Sequence, residues 1–87
     1  VEFEFDERKS QANKAKHGID FVEAQALWLD ENQLQFGSQS ESELRFVVIG
    51  MIAGKHWSAI VTYRPDAIRL ISVRRSRAKE VQAYEGE

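Results

Sequence analysis

The first residues alternate. Glu2-Phe3-Glu4-Phe5 puts acids and aromatics on opposite sides of an extended chain, which predicts a short strand with Phe3 and Phe5 turned inward. Asp6 then supplies an N-cap, and the polar run from Glu7 to His17 predicts a helix ended by Gly18. Its apolar face is thin, Ala12 and Ala15, so the helix should lie mostly in solvent with Lys9, Asn13 and Lys16 along one side. A second start signal follows at once. Asp20 and Glu23 have capping-box spacing, Ile19 and Ala24 take the staple positions, and Phe21, Ala24, Leu27 and Trp28 recur at intervals of three and four. They predict a second helix reaching about Leu29, with one face buried on a sheet.

Beyond Gln33 the period becomes two. Leu34 and Phe36 alternate in a short strand, Gly37 to Ser42 reads as a polar hairpin loop, and Glu43 to Ala53 as a longer strand. Gly54-Lys55 turns the chain into a strand from His56 to Arg64. Pro65-Asp66 turns it again, because proline disfavours helix at the residue before it. Arg69 to Val73 is the last strand, and a final helix starts at Ser76 or its neighbour and ends near Glu85-Gly86. Consecutive strands joined by short turns pair antiparallel. The expected fold is α+β in the order β-α-α-β-β-β-β-α, an antiparallel meander sheet with two N-terminal helices and one C-terminal helix. Its length suits one domain, residues 1–87.

The last strand carries cations. Ile68, Leu70 and Ser72 should point one way and Arg69, Ile71, Val73 and Arg75 the other. A charge-blunted edge strand would account for arginines here. So would an anion site, because Arg74, Arg75, Arg77 and Lys79 crowd a strand exit and helix start where the dipole already disfavours cations. The net charge of -2 conceals the segregation. From Arg64 to Lys79 there are six basic residues and one acid, whereas Asp20 to Glu43 carries six acids and no Lys or Arg. A basic face and an acidic face are expected, the former suited to phosphate.

With 43% hydrophobic and 30% charged residues the chain should fold as an ordinary globular protein. It has no cysteine and two histidines, which removes disulfides, thiolate nucleophiles and cysteine-ligated zinc; no metal and no cofactor are expected. No apolar run approaches membrane-spanning length, and the first six residues lack the basic-then-apolar order of a signal peptide. A soluble, cytoplasmic protein without membrane contact is expected. The start at Val1, with no initiator Met, is what a processed or clipped chain would show.

There is no Gly-rich phosphate loop, nucleophile elbow or acid-rich calcium loop. The residues do offer the few parts that metal-independent RNA cleavage needs: a group to take the 2′-hydroxyl proton, one to protonate the leaving oxygen, and cations for the charge on phosphorus. His17 is the candidate acid or base, although a histidine in a last helical turn equally serves the dipole. Glu43 is the candidate carboxylate, on one strand face with Arg45, where the two also suit a plain surface pair. Arg64, Arg74 and Arg75 are candidate catalytic cations, since guanidinium matches phosphate oxygens two at a time. Tyr84 on the last helix offers base stacking or core packing. Trp28 and Trp57 sit in apolar patterns and read as packing.

Three ordered blocks resemble a known family. Phe3-Glu-Phe-Asp6 with Lys9, Asn13, Lys16-His-Gly18, Phe21 and Glu23-Ala24 is similar to the opening of BrnT toxins. Glu43, Arg45 and Ile49-Gly50 resemble that family's central segment, and Arg69-Leu-Ile-Ser-Val-Arg-Arg75 with Glu80 and Tyr84 its last. The departures are Phe5 for Trp, Val73 and Ser76 for Ala, and Val81 where Arg is common. The resemblance implies a RelE-like ribonuclease of a type II toxin-antitoxin pair, cleaving RNA, arresting translation, and neutralised by a ribbon-helix-helix, BrnA-like antitoxin that binds operator DNA. Lys9, Lys16, Arg45, Arg69, Arg77 and Tyr84 complete the expected substrate-binding set.

Two other readings use the same residues: an inactive module of this fold that only binds RNA or antitoxin, and an interaction domain whose Arg74 and Arg75 merely pair with acids of the Asp20–Glu43 block. An antitoxin is expected to cover the Arg64, Arg74 and Arg75 region, because charge complementarity speeds encounter and occlusion stops the chemistry.

Overall fold

The two longest strands come from the two runs richest in β-branched and aromatic residues, Leu44–Ile52 and Lys55–Tyr63, which form a hairpin at the centre of the sheet. The computed structural model describes residues 1–39 and 43–86. In chain order these are β1 (Phe3–Glu4), α1 (Glu7–His17), a 3-10 helix (Glu23–Leu29), β2 (Leu34–Gln39), β3 (Leu44–Ile52), β4 (Lys55–Tyr63), β5 (Ile68–Arg75) and α2 (Ala78–Glu85). The five strands form one sheet in the order β1-β5-β4-β3-β2. The β3–β4 turn is Ala53-Gly54, both at positive φ (50° and 80°), one residue earlier than expected.

β2 to β5 form the antiparallel meander, but β1 pairs parallel with β5, Phe3 beside Ile68 and Glu4 beside Arg69. The sheet is therefore mixed. A parallel pair needs a long crossover, and here nearly the whole chain lies between the two strands. Alternation in Glu2-Phe3-Glu4-Phe5 marks a strand but not its partner. β2 extends past Gly37 to Gln39, while residues 40–42 of the expected loop lie outside the described residues.

The second helix is a 3-10 helix rather than an α-helix. Phe21, Ala24 and Leu27 are three apart, and in 3-10 geometry such residues stand in line; all three are buried. Its start is as expected: Glu23 N donates to Asp20 Oδ1 (2.7 Å) and Asp20 N to Glu23 Oε1 (3.0 Å). Trp28 packs edge-on against Phe3, and Phe5 against Phe21, which turns both N-terminal aromatics inward.

The first helix also departs from expectation, since Ala12 and Ala15 are exposed and the buried residues are Ser10 and Asn13. Asn13 therefore leaves the solvent side assigned to it. Its Nδ2 donates to the carbonyls of Ile19 and Val73, each at 2.8 Å, and its Oδ1 accepts from Val73 N at 3.2 Å. Ser10 Oγ accepts from Phe21 N. α1 docks on β5 through polar groups that satisfy otherwise unpaired backbone, a signal that hydrophobic periodicity does not carry.

In β5 the alternation breaks at a bulge. Ile60 stands opposite Ser72 and Val61 opposite Leu70, leaving Ile71 as the extra residue. Every side chain after it changes face. Ile68, Leu70 and Val73 consequently share one face with Val61, Ala59 and Val48, packed under Ile19, Phe21, Ala24 and Leu27. Arg75 is carried onto that face beside Trp57, and Arg74 onto the opposite one beside Ser58, the reverse of the simple alternation. Gly50, across from Trp57, is needed for close approach: a Cβ there would lie 3.0 Å from Leu27 Cδ2 and 3.2 Å from Asp30 Oδ2.

Candidate functional site

β5 delivers Arg74 to the second sheet face, where α2 crosses. The helix starts at Ala78 with Arg77 as its N-cap, two residues later than Ser76. The Arg74 guanidinium meets Glu80 fork to fork, Nη1–Oε1 at 2.7 Å and Nη2–Oε2 at 2.9 Å. Glu80 also accepts from Arg77 N (2.8 Å) and Ser58 Oγ (2.9 Å). Those hydrogen bonds, that of Arg74 foremost, outweigh burial and hold the Glu80 carboxyl at about 2. The anion expected at this helix start is thus supplied by the chain itself. Arg74 is paired, as the interaction-domain reading supposed, but with Glu80 rather than with the Asp20–Glu43 block.

α2 has no buried residue of its own, so what pins it is polar. Besides Glu80, Tyr84 donates to Asp30 Oδ2 at 2.7 Å, and Glu85 Oε2 lies 2.7 Å from His56 Nε2. Asp30 directly follows the 3-10 helix and takes Met51 N (2.8 Å), an amide beyond the last β2–β3 pair, Leu34 with Ile49. Burial tends to raise the Asp30 carboxyl, but the bonds from Tyr84, Met51 N and Asn32 N outweigh it and hold the group below its ordinary value. The same bond to Asp30 pushes the Tyr84 phenol up to about 12. Tyr84 is therefore held by an acid, with its ring edge-on to His56 at 5.3 Å between centroids.

Beside this latch the cations Arg75, Arg77 and Lys79 are exposed, and no described residue forms an ion pair with them. Arg75 is nonetheless fixed in place. Its Nε donates to the His56 carbonyl at 3.2 Å and its guanidinium lies 5.4 Å from the Trp57 ring centroid, which gives that tryptophan a second use beyond packing.

The other expected site residues lie elsewhere. Arg64 and Arg69 flank Glu4 at 3.6 and 3.1 Å, and Arg45 lies 3.6 Å from Glu43. Arg74 stands opposite Ser58 and Arg64 follows Tyr63, a separation along the strand of about 20 Å at about 3.3 Å per residue. Arg64 and Arg74 therefore do not grip one phosphate. His17 is half-buried in the last turn of α1, before the left-handed Gly18, and Lys9 and Lys16 on that helix are exposed.

The sequence reading passed over His56, Glu85 and Asp30 as site residues. Each is an ordinary polar residue near a strand or helix end, and only the fold brings His56 to residue 85 and Asp30 to residue 84. Glu80 stood in the family pattern beside Tyr84, six residues from Arg74, and that spacing was the available signal.

Among the described residues no helix is long and apolar enough to cross a membrane, and no group of three His, Cys, Asp or Glu side chains converges to hold a metal ion. Comparison with curated proteins gives no match. A family profile described as ribonuclease toxin, BrnT, of type II toxin-antitoxin systems matches residues 5–80, which takes in α1, the 3-10 helix, β2 to β5 and the Arg74–Glu80 clasp. On that match the chain belongs to the BrnT family of ribonuclease toxins from type II toxin-antitoxin systems.

Proposed function

We propose that this chain is itself an active endoribonuclease of RelE-like fold, cleaving RNA without a metal ion and so inhibiting translation. The observation that carries the reading is Arg75: a guanidinium anchored on Trp57 and the His56 carbonyl, with no carboxylate partner among the described residues, beside Arg77 and Lys79. Fixed, unpaired donors are what charge developing on a phosphoryl group requires. Arg74 serves this site by holding α2 in place. Arg45, Arg64 and Arg69, at the far end of the strands, bind flanking nucleotides, with Glu43 beside Arg45, and Lys9 and Lys16 on α1, next to His17, extend the basic surface.

Neutralisation follows by cover of the free cations. A cognate ribbon-helix-helix, BrnA-like antitoxin presents acidic side chains to Arg75, Arg77 and Lys79, and operator DNA is met only through it. The purified chain, free of antitoxin, is expected to cleave RNA in the presence of a chelator and to arrest growth on induction. Co-expression of the adjacent reading frame should relieve the arrest. RNA binding without turnover, in protein shown to be folded, would favour an inactive binding module instead.

A further inference from the structure

The two faces of the sheet are covered unequally. α1 and the 3-10 helix seal one, where Val48, Ala59 and Val73 have no exposure left. The other carries only α2, pinned over one end by Glu80 on Arg74 and Ser58 and by Glu85 on His56. Beyond those contacts the strand register sets Phe36, Val47, Ile60 and Ser72 side by side across β2 to β5. None of the four is buried, and Phe36 keeps 47% of its exposure. The next row on the same face is polar: Ser38, Arg45, Thr62 and Arg69, with Glu4 at its end on β1.

The size and charge of this strip select what fits it. From Ser58, under α2, to Thr62 in the polar row is about 13 Å along β4 at about 3.3 Å per residue, and an α-helix with its side chains is about 10 to 12 Å wide. Crossing from β2 to β5 takes about 14 Å at about 4.8 Å per strand, which about three turns of helix would span. Apart from Phe36 the apolar floor is aliphatic, which suits a protein segment better than stacked bases. The far border is cationic. Arg64 and Arg69 share the single carboxylate of Glu4, at 3.6 and 3.1 Å, which leaves one positive charge over, and Arg45 stands 3.6 Å from Glu43, beyond hydrogen-bond reach. An apolar strip bordered by guanidinium groups is matched by an amphipathic helix with carboxylates along one side.

Resting on the antitoxin reading above, we propose that the antitoxin anchors on this strip, through an amphipathic helix laid beside α2 with its apolar stripe on Phe36, Val47 and Ile60 and its carboxylates toward Arg45, Arg64 and Arg69. Affinity is then set on the face opposite Arg75, and the cover of Arg75, Arg77 and Lys79 falls to the antitoxin chain that leaves the helix.

The test uses this chain and the purified product of the adjacent reading frame. Phe36→Ala is expected to weaken their binding about 10- to 100-fold in calorimetry, the scale of one buried aromatic anchor, while the free variant cleaves a labelled RNA within about twofold of wild type. In the wild-type complex, which depends on no variant folding, the methyl groups of Val47 and Ile60 should show intermolecular nuclear Overhauser contacts to antitoxin side chains. An affinity of folded Phe36→Ala within about twofold of wild type, or no such contact from either methyl residue, would overturn the anchor. So would a variant that binds the antitoxin normally but RNA weakly, which would give the strip to RNA, or one that loses only self-association in sedimentation, which would give it to a second copy. A wild type that binds this product yet leaves RNA uncut would overturn the ribonuclease reading and leave the anchor standing. A wild type that does not bind it would overturn the antitoxin reading and the anchor together.

Discussion

Replacing Glu80 with glutamine removes one charge from the point where β4, β5 and the start of α2 meet. The ordinary Glu value of 4.5 falls to about 2 in the folded protein. At about 1.4 kcal/mol per tenfold change in proton affinity, that depression corresponds to ~3 kcal/mol. The Arg74 and Glu80 side chains keep 19% and 18% of their exposure, so solvent screens part of it, and the expected loss is ~2 kcal/mol. Because the folded value is depressed, the stabilisation is complete above about 4.5 and fades as pH falls from there through about 2. Urea unfolding at pH 7 should show the Glu80→Gln midpoint lower by ~1 to 2 M, for a slope of about 1 to 2 kcal/mol/M. At pH 3 the gap should narrow, and near pH 2 it should close. Equal midpoints at pH 7, or a gap undiminished at pH 2, would refute the assignment of the clasp as the main anchor of α2.

Other positions allow equally direct measurements. Asn13→Ala strips three hydrogen bonds from buried backbone, including both polar groups of Val73, and should cost about 2 to 4 kcal/mol in chemical denaturation; a loss under about 1 kcal/mol would mean that water replaces it. Tyr84→Phe should cost about 1 kcal/mol at pH 7. Since the phenol is raised to about 12, wild type keeps this advantage below pH 10 and loses it as pH rises through about 12, where the two unfolding curves should meet. Gly50→Ala drives a methyl toward Leu27 and Asp30 and should destabilise by about 1 to 3 kcal/mol, read as a fall in Tm; an unchanged Tm would show that the 3-10 helix yields freely.

Much of this fold is written in local pattern. The Asp6 and Gly18 caps, the Asp20–Glu23 box and the β2–β5 meander all rest on neighbours in sequence, and each is present. What failed depends on partners far along the chain. Asn13 is buried because Val73, sixty residues on, needs its backbone satisfied. β1 is parallel because its partner is the last strand. Ile71 is a bulge although nothing in Leu70-Ile71-Ser72 distinguishes it from regular strand, and that single residue exchanges the faces of Arg74 and Arg75. Charge counting was right that the region from Arg64 to Lys79 is basic. It did not reveal that Arg64, Arg69 and Arg74 are answered by Glu4 and Glu80, which leaves Arg75, Arg77 and Lys79 as its free cations among the described residues.

The central claim, that RNA is cleaved against the guanidinium of Arg75, is tested most directly by single-turnover cleavage of a labelled RNA in chelator by wild type and Arg75→Ala. The variant loses an exposed side chain with one hydrogen bond and one cation–π contact and should stay folded, losing about 1 kcal/mol of stability, while its cleavage rate falls by about 10²-fold or more, the scale of removing one fixed transition-state donor. A folded Arg75→Ala protein that cleaves at the wild-type rate would contradict the account.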